Sequence, residues 1–177
     1  MIHLVNGRGQ LGEQLRKNLT DQQTGEEIYI YHTWNVQDKT EAKQKKEYKK
    51  LRHFVDSHCN KKIIFISTKS EKETWYTHYK QLAEAYVLLH CKQSKIIRLP
   101  TIVGKGVIQK FQKGEAKPYG VMELITINMA AKKIINLCTF NGLQNHRKNI
   151  TINGDLISAD LVYELSRIDF GRKVEHI

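Results

Sequence analysis

Met1-Ile2-His3-Leu4-Val5-Asn6-Gly7-Arg8-Gly9-Gln10-Leu11-Gly12 decides how the rest of the chain is read. Ile2, Leu4 and Val5 form a short apolar element of strand length, and Gly7-x-Gly9-x-x-Gly12 follows at once. Leu11, Leu15 and Leu19 then recur at i, i+4 and i+8, the period of a helix. Glycines between a strand and a helix let the backbone turn sharply and approach a phosphate. The helix N-terminus supplies amide donors and a partial positive charge. A tight glycine turn without a ligand carries the same spacing, so the motif needs support from elsewhere.

Further along the chain, strand and helix patterns alternate. Residues 27–31 (Glu-Ile-Tyr-Ile-Tyr) are rich in β-branched and aromatic side chains, as strands are. Residues 40–58 predict a long polar helix with Tyr48, Leu51, Val55 and Cys59 on a narrow stripe. A strand follows at 62–67. A helix over about 75–92 has Trp75, Tyr79, Leu82, Tyr86 and Leu89 on one face. A strand over 95–99 stops at Pro100. Alternation of this kind predicts βαβ units and a parallel sheet with helices on both faces. Residues 107–121 read as a loop or short helix and 122–138 as a helix. A short strand at 149–152 turns at Asn153-Gly154-Asp155, and Ser158 is placed to cap a last helix. With 177 residues, one domain over 1–177 is expected, with the alternation clear over 1–106 and less so over 107–177.

Two further stretches carry chemistry. In Tyr76-Thr77-His78-Tyr79-Lys80, Tyr76 and Lys80 stand at i, i+4 on one helix face. A phenol of ordinary pKa ~10 is a poor catalyst at neutral pH. A lysine ammonium one turn away favours the phenolate, and the pair can then exchange a proton with a hydroxyl or ketone. An amphipathic helix in a chain with eight tyrosines yields the same pattern by chance. Ser67-Thr68 ends a strand, where a hydroxyl of a parallel sheet points into the ligand crevice. The alternative there is a strand end followed by a capping box, Ser70-x-x-Glu73.

In order, these pieces are the glycine loop, Ser67-Thr68, Tyr76-x-x-x-Lys80-x-x-Ala83-Glu84, and Arg98-Leu99-Pro100-Thr101-Ile102-Val103-Gly104. Together they resemble the extended short-chain dehydrogenase/reductase superfamily, in its NAD-dependent epimerase/dehydratase branch. The Gly9-Gln10-Leu11-Gly12 and Ser67-Thr68 forms lean towards its dTDP-4-dehydrorhamnose-reductase-like members. The resemblance implies an α/β, Rossmann-like doubly wound parallel sheet and an oxidoreductase or epimerase of nucleotide-activated sugars, of the kind used in polysaccharide biosynthesis. It implies NAD or NADP as cofactor, Tyr76 as acid-base catalyst, and Lys80 as the group that tunes Tyr76 and holds the nicotinamide ribose. Thr68, with Ser67 as fallback, would polarise the reacting oxygen. Gly7, Gly9, Gln10, Leu11 and Gly12 would line the pyrophosphate, and Arg98 and Pro100 the nicotinamide side of the cleft. A homodimer through helices near 40–58 and 75–92 is implied as well.

Two departures from the family pattern stand out. Asn6 occupies the place of the first loop glycine, and Asn tolerates unusual backbone angles better than most residues. The strand at 27–31 resembles the family's fourth strand more than its second, so the second and third strands are missing. The sheet is then reduced in strand number, and no acidic residue ends the 27–31 strand to read an adenosine ribose.

Composition narrows the remaining choices. Lys plus Arg is 29 against 18 for Asp plus Glu, a net charge of +11 that favours phosphate-bearing partners. Nine of the basic residues but only three acidic ones fall within 39–62. A lysine-rich face is ordinarily solvated; a nucleic-acid-binding module using that helix is one alternative function, ranked low because only Tyr48 interleaves the lysines. A non-catalytic Rossmann-like nucleotide sensor or scaffold is the other. Three well-separated cysteines argue against a disulfide framework, no histidine spacing suggests a metal, and no apolar run is long enough to span a membrane. With no signal-peptide layout at the start, the expectation is a cytoplasmic protein.

Overall fold

The computed structural model describes residues 1–6, 9–19, 27–104, 106–138 and 148–167. Five parallel strands form the main sheet: β1 (Ile2–Val5), β2 (Ile28–Tyr31), β3 (Lys62–Thr68), β4 (Ser94–Leu99) and β7 (Asn149–Thr151), in the order β1-β2-β3-β4-β7. The helices are α1 (Gln10–Asn18), α2 (Glu41–His58), α3 (Trp75–His90), α4 (Val107–Gln112), α5 (Ile127–Cys138) and α6 (Ala159–Arg167). The fold is the Rossmann-like α/β arrangement expected from the alternating pattern.

Side-chain alternation along the strands divides the core in two. Ile28, Ile30, Ile64, Ile66, Ile97 and Leu99 point to one face and meet Leu15 of α1 and Ala130, Ala131 and Ile134 of α5. Tyr31, Ile63, Phe65 and Ile96 point to the other and meet Leu51 and Val55 of α2 and Ala83 and Val87 of α3. Both faces are covered, so the central strands read as continuous apolar runs such as Ile63-Ile64-Phe65-Ile66, all 5% exposed or less.

Strand order bears directly on the missing strands. Successive strands β1 to β4 step the same way across the sheet, yet α1 lies on one face and α2 and α3 on the other. Units of that kind have opposite hands, whereas crossovers between parallel strands are right-handed in about 98% of cases. A doubly wound sheet of order 3-2-1-4-5-6 that loses strands 2 and 3 leaves this arrangement, with the first helix still on the face that served the lost strands.

Several local expectations are corrected. Residues 121–126, read as the start of a helix, form β6 (Val121–Thr126), and α5 begins only at Ile127. β6 pairs with β5 (Thr101–Val103) and antiparallel with β8 (Asp155–Ser158) in a separate three-stranded sheet. The apolar residues of 121–134 fit both periods, and pairing with β5 and β8 decides for the strand. The capping box lies at Thr74 and Thr77, which exchange side-chain and backbone hydrogen bonds at 3.1 and 3.2 Å, and not at Ser70-x-x-Glu73. On α3 the buried face carries Tyr79, Lys80, Ala83, Glu84 and Val87, while Trp75, Leu82 and Leu89 are exposed. Cys59, expected on the apolar stripe of α2, is exposed past the end of that helix.

The small sheet is knit to the end of β3. Lys69 Nζ lies 2.5 Å from Glu123 Oε2 and 3.0 Å from Asn153 Oδ1, and Gly154 N–H donates to Glu123 Oε1 at 2.9 Å. A Cβ on Gly154 would sit 2.1 Å from the Leu124 carbonyl oxygen, so only glycine fits.

Candidate active site

The carboxyl ends of β1, β2 and β3 converge with the start of α1 and the first turn of α3. β1 ends at Val5, and Asn6 follows with φ of 50°, a left-handed value that Asn tolerates better than most residues. Gly9 follows at φ 98° and caps α1 with no side-chain acceptor, and a Cβ there would meet nothing within 4 Å. Among the described residues no side chain from Gly9 caps that end of α1. Gly12 is buried, Leu11 packs against the first core, and Gln10 lies against the backbone of Gly104. Gly7 falls outside the described residues. Thr33 Oγ1 donates to the carbonyls of Val5 and Asn6 at 2.8 and 3.3 Å and fastens the loop after β2 to the end of β1.

At the end of β3, Thr68 and Tyr76 come together. The Thr68 hydroxyl accepts the Ser70 N–H at 3.1 Å and hydrogen-bonds the Tyr76 phenol. Burial pushes the Tyr76 pKa up and the Thr68 bond only partly offsets it, so the phenol is held protonated at neutral pH. This corrects the expectation of a Tyr76 pKa lowered by Lys80: desolvation, not lysine charge, dominates.

Lys80 is fully buried beneath this edge. Its ammonium donates to the Ile66 carbonyl at 2.8 Å and lies 4.6 Å from the ring centres of both Trp34 and Phe65. Desolvation lowers its pKa to about 7, against the opposing pull of Glu84 and Glu47. Trp34 is fixed in turn by its indole N–H, which donates to Gln44 Oε1 of α2 at 2.7 Å. Lys80 thus holds the last turn of β3 from below, and one bond to Ile66 leaves two of its three N–H donors.

Two polar atoms beside it stand out. Ser67 Oγ and His32 Nε2 are buried with no hydrogen-bond partner among the described residues. Ser67 is only 5% exposed, and the pKa of His32 falls to about 4 through burial first, then the charges of Lys80 and Arg16. Buried polar groups are otherwise almost always paired, so these two mark unspent hydrogen-bonding capacity at the sheet's edge.

Arg98 of β4 is held by an acidic residue of α3. Its guanidinium is clamped by Glu84 of α3, with Nε 3.1 Å from both carboxylate oxygens and Nη2 at 2.5 Å from one. Pro100 is buried just past β4. Sequence reasoning had passed over His32 and Trp34. The signal for them was the run Tyr31-His32-Thr33-Trp34 directly after a buried strand, where site residues of parallel sheets collect.

No family model matches the chain, and no curated protein matches it by sequence. Its fold does match solved structures. A dTDP-4-dehydrorhamnose reductase from Clostridium acetobutylicum superposes with a TM-score of 0.69 at 15% identity, over 93% of this chain and 80% of that one. The dTDP-4-dehydrorhamnose reductase of Bacillus anthracis, solved in complex with NADP, gives 0.70 at 13% identity, over 94% and 80%. The Bordetella bronchiseptica enzyme WbmG, solved with NAD and UDP, gives 0.68 at 15% identity, over 93% and 76%. Identities this low speak to the fold. Among the described residues no helix is long and apolar enough to cross a membrane.

Proposed function

We propose that the chain is an NAD(P)-dependent oxidoreductase or epimerase-like enzyme of nucleotide-activated sugars, with Tyr76 as its acid-base catalyst. The observation that carries this reading is the hydrogen-bonded Thr68–Tyr76 pair at the carboxyl end of β3, beside two buried polar atoms that lack partners. The solved proteins of the same fold are named as reductases and epimerases and bind NAD, NADP or UDP, which supports the same class here.

The residues present fit the pyrophosphate and nicotinamide ends of the cofactor. The uncapped turn at Gly9, with Gly7, Gln10, Leu11 and Gly12, suits a pyrophosphate. Ser67 Oγ, His32 Nε2 and the two spare donors of Lys80 suit a ribose and a carboxamide. Arg98, braced against α3 by Glu84, and Pro100 line the nicotinamide side of the cleft. No acidic residue stands at the end of β2 for the adenosine ribose, so the grip on the cofactor falls to the other two ends. When bound, the nicotinamide supplies or accepts the hydride.

The chain's own residues move the proton. Tyr76, kept protonated by burial, gives its phenolic proton to a carbonyl oxygen, which favours the direction of reduction. With a carbonyl bound, Thr68, whose oxygen accepts from Ser70, turns its own hydrogen from the Tyr76 oxygen to the carbonyl oxygen. Ser67 is the second polariser. Two copies pair through α2 and α3, a reading supported by the exposed apolar residues Trp75, Leu82 and Leu89 of α3.

The test follows oxidation of NADH or NADPH against a panel of keto nucleotide-sugars. Tyr76→Phe is expected to lower turnover about 10²–10⁴-fold. Equal turnover in wild type and variant, or no turnover with any member of the panel, would overturn the reading.

A further inference from the structure

The outer face of α2 carries a stripe of positive charge that the chemistry at Tyr76 leaves unused. Lys45, Lys46, Lys49, Lys50, Arg52 and His53 are all exposed, while Gln44, Glu47, Leu51 and Val55 are the buried residues of the same helix. Helix geometry sets the spacing. Lys45, Lys49 and His53 follow one another by one turn, about 6 Å along the axis, and the row from 45 to 53 is about 12 Å long.

The carboxylates of α2 are engaged or lie at its ends. Glu47 is buried and takes Lys50, whose Nζ lies 2.9 Å from its Oε1. Glu41, at the start of the helix, accepts from the Tyr79 hydroxyl at 3.4 Å, and Asp56, near its end, accepts from the Tyr86 hydroxyl at 2.6 Å. Among the described residues no carboxylate lies within 4.0 Å of Lys45, Lys46 or Lys49. Like charges one turn apart destabilise a helix, and an anion laid along them relieves the repulsion.

We infer that this face of α2 docks the phosphate backbone of a nucleic-acid duplex, without reading its sequence. Charge complementarity names the occupant. A duplex carries one negative charge per about 1.7 Å of its axis, so a row of cations about 12 Å long meets several phosphates at once. Stacking on single-stranded bases is disfavoured, because the aromatic rings beside the stripe are already packed. Tyr48 is half-buried, with its ring centre 5.9 Å from that of Tyr79 and 6.2 Å from that of Tyr86, and the Arg52 guanidinium lies 4.9 Å from the Tyr86 ring centre. A lipid surface needs apolar side chains beside the basic ones, yet the exposed positions over 45–57 hold only Lys, Arg, His, Asp and Ser. A second copy brings a like stripe, so pairing of copies falls to the exposed apolar residues of α3 and leaves the stripe outward. The net charge of +11 adds a long-range attraction for the same partner.

Fluorescence anisotropy with a labelled DNA duplex of arbitrary sequence tests it, at salt from about 50 to 200 mM. Wild type is compared with Lys45→Gln/Lys46→Gln/Lys49→Gln and with the corresponding triple arginine variant. A third protein, Lys113→Gln/Lys117→Gln/Lys132→Gln, removes the same charge from exposed positions elsewhere. Lys50 is left in place so that the buried Glu47 keeps its partner, and circular dichroism confirms that each variant is folded. Wild type is expected to lose about 40-fold in affinity over that salt range, with about 0.9 counterions released for each of three phosphates. The stripe variant is expected to bind about tenfold more weakly at the low-salt end with a nearly flat salt dependence, while the arginine and distal variants keep the wild-type slope. Wild type that leaves the duplex unbound at low salt, a stripe variant with the wild-type slope, or equal losses in the stripe and distal variants would overturn the inference. So would binding to phosphatidylserine vesicles or to polyglutamate in place of the duplex.

Discussion

Replacing Lys80 by Met is expected to stabilise the fold at low pH and to do so less as pH rises. The Lys80 pKa falls from 10.5 to about 7 because its ammonium is buried between Trp34 and Phe65 with only the Ile66 carbonyl as acceptor. A lysine whose folded pKa is depressed binds fewer protons folded than unfolded at any pH between those two values. Stability therefore rises with pH across that window, and the full burial penalty remains below pH ~7. Integrating between pH 6 and pH 9 gives about 2.5 kcal/mol of wild-type stability gained from Lys80 alone. Met fills the same slot without a charge. Glu84 keeps Arg98 and Glu47 keeps Lys50 as partners, so no carboxylate is stranded. Urea unfolding of wild type and Lys80→Met at pH 6, 7.5 and 9 measures the effect, and the difference between the proteins isolates Lys80 from other titrating groups. The advantage of the variant should shrink by about 2.5 kcal/mol from pH 6 to pH 9. A pH-independent difference, or one that widens, would refute the burial argument.

Other outcomes follow from the same geometry. His32, held neutral with a pKa of about 4, makes stability fall as pH drops from about 6.5 towards 4; His32→Leu should flatten that limb by about 2 kcal/mol in urea unfolding between pH 7 and 4.5. Gly154→Ala forces a Cβ onto the Leu124 carbonyl and should cost about 2 kcal/mol or more in the same assay. Glu84→Gln removes the partner of Arg98 and should destabilise by about 3 kcal/mol, with the double variant Glu84→Gln/Arg98→Met recovering part of it in thermal unfolding. Thr68→Val takes away the one hydrogen bond that holds the Tyr76 pKa down, and the phenol should titrate at higher pH by ultraviolet difference absorbance.

The parallel sheet was legible because its strands are buried on both faces and so read as β-branched runs. Ile63-Ile64-Phe65-Ile66 admits hardly another reading. The residue type at Asn6 was informative too, since its positive φ is one that Asn tolerates better than most residues. Face assignment on α3 failed for a physical reason. Hydrophobic periodicity assumes that charged residues face water, but Lys80 and Glu84 are paired inward with Ile66 and Arg98, which leaves Leu82 and Leu89 outside. β6 was misread because an apolar run leading into a helix satisfies both periods; only pairing with β5 and β8 decides it.

The central claim is that the shortened sheet still holds a nicotinamide cofactor beside Tyr76. Titration with NADH and with NADPH, exciting tryptophan and recording nicotinamide emission, tests it most directly. Trp34 lies 4.6 Å from the Lys80 ammonium and Trp75 adjoins Tyr76 in the chain, so both flank the site. Saturable energy transfer is the predicted result. A folded protein that gives no transfer at high concentrations of either cofactor would contradict the account.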